Sequence, residues 1–511
     1  MSNSAGNKIA KNTLFMYFRM FLQMGISLYM TRVVLEILGV NDFGLYNVIG
    51  GIVAMLGFFR STMSIATQRF MSYEIGRQNE IGTRNIFSCS VIGHGLLCLI
   101  VLIAAESIGY WFVKNKLVIP IGQLGVALFV YQTVIATFII NLITIPYNSA
   151  IIAFEKFSFF AYLSIGEAVL KLALIYLLYL IDSEKLKLYA ILMMLASLII
   201  SAIYIIYCTM QFKACRLKLV TDKSLYKDLF SFSGWIFAGD LSYFGARQGV
   251  NILINLFFGT TLNAARAVAE QVNHAIASFS SNFMLTTRPT IIKKYSSNAT
   301  NESILLTILT TKFSTYLLLV FAITIIFNIH TILHIWLKDI PTQTSIFIQL
   351  SIINLLITNI QAPLSFLIQA DGNIKAYQII VTFGFCIVIL FTWFAYKIGL
   401  SVLTTYYISI IVSITQLPIL VYIINRITKF PVGYYIKNAI IPIIYTTIMT
   451  VSCCYIFSLV TSNVNTAMNI LNIVVSGGIC MITVYFIGLN KEEKNKVSLL
   501  IKQRFLKKNK I

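Results

Sequence analysis

Four arginines stand inside otherwise apolar stretches of this chain: Arg19, Arg60, Arg247 and Arg266. An arginine facing lipid at the centre of a bilayer costs about 2.5–3.5 kcal/mol, so such residues face a bundle interior or a wet cavity. The planar guanidinium fork binds two oxygens of a phosphate at once. The chemistry these residues suggest is capture of an anion within a membrane. Polar side chains accompany them at helical spacing. Gln23 and Ser27 follow Arg19 on one face, and Ser64 and Gln68 follow Arg60. Asp240, Tyr243, Arg247, Asn251 and Asn255 make a third polar face. Arg266, Glu270, Asn273, His274 and Ser281 make a fourth. Asn141 and Thr358 lie on two further stripes that suit hydrogen bonds to sugars or water.

Each of these groups also has a plainer role. Arg247 has two candidate neutralising partners, Asp240 and Glu270. Glu167 and Lys171 sit at i,i+4 in the favoured order for a helical ion pair, which points to an internally satisfied pair. Arg32 and Arg288 lie near the ends of apolar stretches and read as snorkelling anchors. His94 is alone among apolar residues and reads as buried. Asp240, Glu270 and His274 are the candidates for an ion-coupling site. No Walker loop, carboxylate pair, nucleophile triad or metal-ligand spacing stands out, so neither an enzyme nor a cofactor is expected.

The elements that must position these residues are membrane helices. The 511-residue chain is 58% hydrophobic and only 11% charged, where soluble domains carry about 25% charge. The sequence predicts an all-α integral membrane protein with about 14 spans. They run approximately 13–36, 44–67, 86–112, 120–145, 157–181, 187–211, 230–258, 264–288, 304–329, 343–369, 376–397, 400–424, 434–460 and 467–489. The first two form a hairpin, Thr13 to Phe70, around the link Leu38–Gly44. The polar N-terminus lacks a signal-cleavage pattern, so the first span is expected to be retained.

The net charge of +21 comes mostly from short loops on one side, which argues against nucleic acid as a partner and places both termini in the cytoplasm. Trp111, Trp336 and Trp393 fall near outer span ends, where an aromatic belt sits. The eight cysteines have no disulfide or metal spacing and read as small buried hydrophobes. The basic tail, with Val497, Leu499, Leu500, Ile501 and Phe505 among lysines, suits the surface of an anionic leaflet.

The basic loop Phe212–Asp228 divides two similar halves. Adding 217 to Thr137, Asn141, Thr144, Pro146, Asn148 and Ala153 gives Asn354, Thr358, Gln361, Pro363, Ser365 and Ala370. The stretch Leu35–Gly39 is matched by Asn255–Gly259 at an offset of 220. This predicts two six-helix lobes as a parallel repeat. They are an N-lobe over 1–211, a linker over 212–228 and a C-lobe over 229–425. Two added helices over 426–489 and a basic cytoplasmic tail over 490–511 follow.

The pattern ILGVNDFGLYNVIGG, then Arg69-Phe70 and a polar loop, resembles the start of polysaccharide flippases, as do the Pro146…Ala153 and Pro363…Ala370 landmarks and the span count. These belong to the multidrug/oligosaccharidyl-lipid/polysaccharide exporter superfamily. The resemblance implies two lobes around a central cavity, alternating between inward-open and outward-open forms. It implies a cargo built on the cytoplasmic face of the bacterial inner membrane: an oligosaccharide repeat unit on a polyprenyl pyrophosphate, flipped for O-antigen, capsule or exopolysaccharide assembly. The pyrophosphate would meet Arg19, Arg60 and Arg247, with Arg266, Gln23, Asn251, Asn141 and Thr358 as further contacts. Membrane lipids, a polysaccharide polymerase and a ligase are the implied partners. A cation-coupled multidrug exporter of the same superfamily and a lipid II flippase are the alternatives.

Overall fold

The computed structural model describes residues 3–54, 57–115, 117, 119, 122–180, 184–337, 340–460 and 466–495. The described residues are all-helical, with no strand among them. The first half holds α1 (Asn3–Ala54), α2 (Gly57–Gly76), α3 (Glu80–Ala104), α4 (Tyr110–Asn115), α5 (Leu124–Ala153), α6 (Phe157–Leu180) and α7 (Lys185–Gln211). The second holds α8 (Lys223–Phe258), α9 (Thr260–Ser296), α10 (Thr300–Phe327), α11 (Ile329–Trp336), α12 (Thr344–Asp371), α13 (Lys375–Lys397) and α14 (Thr404–Thr428). There follow α15 (Val432–Tyr435), α16 (Ile441–Val460) and α17 (Thr466–Thr483). Single π-turns join α3 to α4 and α15 to α16.

Among the described residues, eleven helical stretches are long and apolar enough to cross a membrane, so the protein is a multi-pass membrane protein. That is three fewer than the fourteen spans expected. The seventh and eighth expected spans are helical, as α8 and α9, but Asp240, Arg247, Arg266 and Glu270 make them too polar to read as apolar spans. The second expected span crosses residues 55 and 56, which lie outside the described set.

The backbone itself records the repeat. Gly39 (φ 74°) breaks α1, and its counterpart at an offset of 220, Gly259 (φ 85°), separates α8 from α9. Gln78 (φ 57°) and Asn298 (φ 59°), related by the same offset, precede α3 and α10. Glu155 (φ 59°) and Gly372 (φ 101°), at an offset of 217, follow α5 and α12. A left-handed residue costs about 1–2 kcal/mol when it is not glycine, so three matched pairs are not a chance outcome of chain flexibility. Pro146 in α5 and Pro363 in α12 mark the same place in each half. Each removes one helical hydrogen bond.

The chain forms two compact units. One comprises residues 10–240 with 292–298, and the other comprises 1–9, 241–291 and 299–511. In the first unit α5 packs against α2, α3 and α7, over a core that includes Ile49, Tyr131, Leu178 and Ile175. In the second α12 packs against α10 and α14, with Phe347, Ile348 and Ile352 at its centre. The helices α16 and α17 lean on α10 and have no counterpart in the first unit.

Among the cysteines, Cys386 is exposed rather than buried, while six of the eight are buried. His94 is 1% exposed, with Nδ1 2.7 Å from the Ser90 carbonyl. The amphipathic segment expected in the tail lies beyond residue 495, outside the described residues.

Candidate functional site

Each unit carries its own polar cavity. In the first, a cavity of about 310 Å³ opens among α1, α2, α5, α6 and α7. Proline-marked α5 supplies Asn141, Thr144 and Asn148. Thr144 Oγ1 shares its one hydroxyl proton between the Ile140 carbonyl at 2.8 Å and Ser201 of α7 at 2.6 Å, so it is satisfied without water. Asn141 donates to the Thr137 carbonyl at 2.9 Å, which leaves its side-chain oxygen as an acceptor. Arg19 reaches this cavity from α1 and lies over the Phe160 ring, 4.7 Å from its centroid. An aromatic face in that position stabilises a cation. Gln23, one turn further on, donates to the Ser164 carbonyl of α6 at 3.3 Å. The Glu167–Lys171 pair is formed, at 2.5 Å within α6, and both residues line the same cavity as Arg19. Sequence spacing alone sets that pair apart from the site; the packing of α6 brings it in.

In the second unit, a cavity of about 400 Å³ is bounded by α8, α9, α12, α13 and α14. Thr358 and Gln361 line it from α12, as the counterparts of Asn141 and Thr144 at an offset of 217. Its charged centre is a carboxylate held between two guanidinium groups. Glu270 Oε2 is 3.2 Å from Arg247, and Glu270 Oε1 is 3.4 Å from Arg266. Arg266 also donates Nε–H to Asn251 at 2.7 Å and lies 5.8 Å from the Tyr406 ring centroid. His274 lines this cavity beside Glu270. A wider opening of about 770 Å³ shares Arg247, Glu270 and His274 and continues along α8 and α9 to Asn255 and Asn263.

Of the two partners open to Arg247, Glu270 is therefore the one it takes. Asp240 accepts a hydrogen bond from Thr62 at 3.2 Å and belongs to the first unit, whereas Glu270 lines the cavity of the second. Arg19 and Arg247 likewise line different cavities. The side chain of Arg60, on α2, lies outside the described residues. Arg288 departs from the expected snorkelling anchor. It is buried and donates to Gln369 of α12 at 2.5 Å, whereas Arg32 is exposed. Sequence reasoning missed Tyr204 in the first cavity, and Tyr377, Tyr406 and Gln416 in the second. Apolar neighbours on their own helices hid them, and no periodic signal singled them out.

No family model and no curated protein matches the chain. Solved structures do, at fold level. One described as the outward-facing conformation of a multidrug resistance MATE family transporter of the MOP superfamily aligns with a TM-score of 0.70. Its identity is 14%, over 83% of this chain and 96% of that one. A MATE structure in the bent conformation gives the same figures. A MOP superfamily transporter from Pyrococcus furiosus, described by the reverse polarity of its binding pocket suggesting a different function, aligns at 0.68. It is 14% identical over 82% of this chain and 96% of that one. The chain thus has the fold of these transporters over most of its length.

Proposed function

We propose that this protein is a membrane transporter for an anionic amphipathic cargo, an oligosaccharide repeat unit on a polyprenyl pyrophosphate. It moves that cargo from the cytoplasmic to the outer face of a bacterial inner membrane. The fold supports transport of some kind. The observation that carries the choice of cargo is the charge of the cavities. Arg19 and Lys171 stand against Glu167 in one, and Arg247 and Arg266 against Glu270 in the other. Among the described residues, the lining of each cavity carries one positive charge in excess. An anion inserted there gains charge-assisted hydrogen bonds, while a cation meets net repulsion in a medium of reduced dielectric. The serine, threonine and carboxamide linings suit sugar hydroxyls, and the pyrophosphate falls to the arginines.

The second reading is a multidrug exporter, which the description of one structural neighbour favours. Another neighbour is described by a reversed pocket polarity that suggests a different function for that protein. A lipid II flippase shares the anionic cargo chemistry and differs in the sugar–peptide head.

The test is translocation in proteoliposomes of a polyprenyl-pyrophosphate oligosaccharide whose exposed sugars are labelled from one side. Protein-dependent flipping, reduced about tenfold or more in both Arg19→Ala and Arg247→Ala, is expected from loss of one charge-assisted contact. Absence of flipping together with efflux of a cationic dye moves the protein to the exporter reading.

A further inference from the structure

The wider opening of the second unit holds five carboxamides: Gln248, Asn251, Asn255, Asn263 and Gln271. Only the first two are tied to the charged centre. Arg266 donates to Asn251, and Asn251 donates to Gln248 at 3.2 Å. Among the described residues, the amides of Asn255, Asn263 and Gln271 make no side-chain hydrogen bond within the protein. Asn255 and Gln271 are exposed, and Asn263 half-buried. Each amide offers two N–H donors and a carbonyl acceptor without charge, and together they edge a space of about 770 Å³.

The repeat supplies an internal control. Subtracting the offset of 220 from these five positions gives Leu28, Thr31, Leu35, Phe43 and Gly51. At these five positions the first half therefore has one hydroxyl and no carboxamide. The fold does not require these amides, and a bare amide exposed to lipid would be penalised by several kcal/mol per unsatisfied group. In the opening they face water or a polar ligand.

We infer that this opening is a subsite for an uncharged, hydroxyl-rich saccharide, distinct from the Arg247–Glu270–Arg266 centre that receives the anionic end. The inference rests on the reading that the cargo carries a glycan. Vicinal hydroxyls present alternating donors and acceptors, which carboxamides match and guanidinium groups, being donors only, do not. The division also fits the geometry. The shared lining of Arg247, Glu270 and His274 lies at one end, and Asn255 and Asn263 at the other.

The experiment uses the full chain purified in detergent and follows thermal unfolding with two kinds of probe. One is a panel of neutral tetrasaccharides of hexoses and N-acetylhexosamines; the other is inorganic pyrophosphate. At least one tetrasaccharide is expected to stabilise the protein. Asn255→Leu combined with Gln271→Leu is expected to weaken that response about tenfold, as two lost hydrogen bonds predict, and each single change to give an intermediate loss. The pyrophosphate response should be unchanged in Asn255→Leu, which lies at the far end from Glu270. Both side chains are exposed and make no side-chain hydrogen bond among the described residues, and the unliganded melting temperature reports whether the variant folds. Stabilisation by no tetrasaccharide, or a double variant that binds as the unaltered chain does, overturns the subsite. Tetrasaccharide binding without any pyrophosphate binding leaves the subsite standing and overturns the anionic cargo instead.

Discussion

The two units share a backbone plan and differ in where they put charge. In the first, the carboxylate and ammonium of Glu167 and Lys171 neutralise each other within one helix, and Arg19 stands over an aromatic ring. In the second, one carboxylate is gripped from two helices, by Arg247 of α8 and Arg266 of α9. None of these charges is repeated. At the offset of 217, the second-half counterparts of Glu167 and Lys171 are Gly384 and Val388. At the offset of 220, the first-half counterparts of Arg247, Arg266 and Glu270 are Ser27, Tyr46 and Gly50. Helix boundaries and left-handed joints therefore specify the fold, while ionisable groups were assigned to each half separately. A charge with no counterpart is one the architecture can do without, which makes function its more economical explanation.

One pair tests how far that rule extends. Lys312 of α10 is 3% exposed and bonds Glu493 at 2.7 Å. Its first-half counterpart is Ile92. Glu493 and Asn490 also cap each other, each accepting from the other's backbone N–H at 2.8 Å. Lys312→Ile should lower stability by about 3 kcal/mol, because it strands a buried carboxylate. Adding Glu493→Gln, which keeps the cap and removes the charge, should recover more than half of that loss. Denaturant titration in micelles measures both; a single variant as stable as the unaltered chain would show that the ion pair is idle.

A smaller effect separates the two cavities. Glu270→Ala leaves Arg247 and Arg266 facing each other without their shared counter-charge, and should reduce stability by about 2 kcal/mol while tightening pyrophosphate binding. Melting temperature and binding isotherms report the two halves of that statement, and weaker anion binding would contradict the assigned role of Glu270. The smallest effect is expected from Glu167→Ala. Its pair is about one-third exposed and confined to one helix, so the stability loss should stay below about 0.5 kcal/mol. A loss as large as that of Glu270→Ala would erase the distinction drawn between the units.

Much of the fold was legible because its signals are periodic. Apolar runs marked the helices, and the paired prolines and small polar stripes marked the repeat. The polar faces of α8 and α9 were legible as faces too. Their partners were not, because Arg247 lies between two acids at plausible spacing in sequence and only the packing of α8 on α9 selects Glu270. Arg288 was misjudged for a related reason. Position near a span end suggests a route to water, but Gln369 on another helix meets it first. The amides of Asn263 and Gln271 escaped notice because carboxamides carry no charge to announce them.

The left-handed joints also measure how the halves differ in length. From Gln78 to Glu155 the first half spans 155 − 78 = 77 positions, and from Asn298 to Gly372 the second spans 372 − 298 = 74. The first half is three residues longer between its joints. Within the cavity-facing part of α12, such a change would have turned everything beyond it by about 300°. Yet Thr358 and Gln361 line their cavity just as Asn141 and Thr144 line theirs. The length difference therefore falls outside that stretch, towards the N-terminal end of the helix, since α5 and α12 begin at Leu124 and Thr344, still at the offset of 220. The two halves differ in length where a rotation is harmless and keep one register where side chains face their cavities.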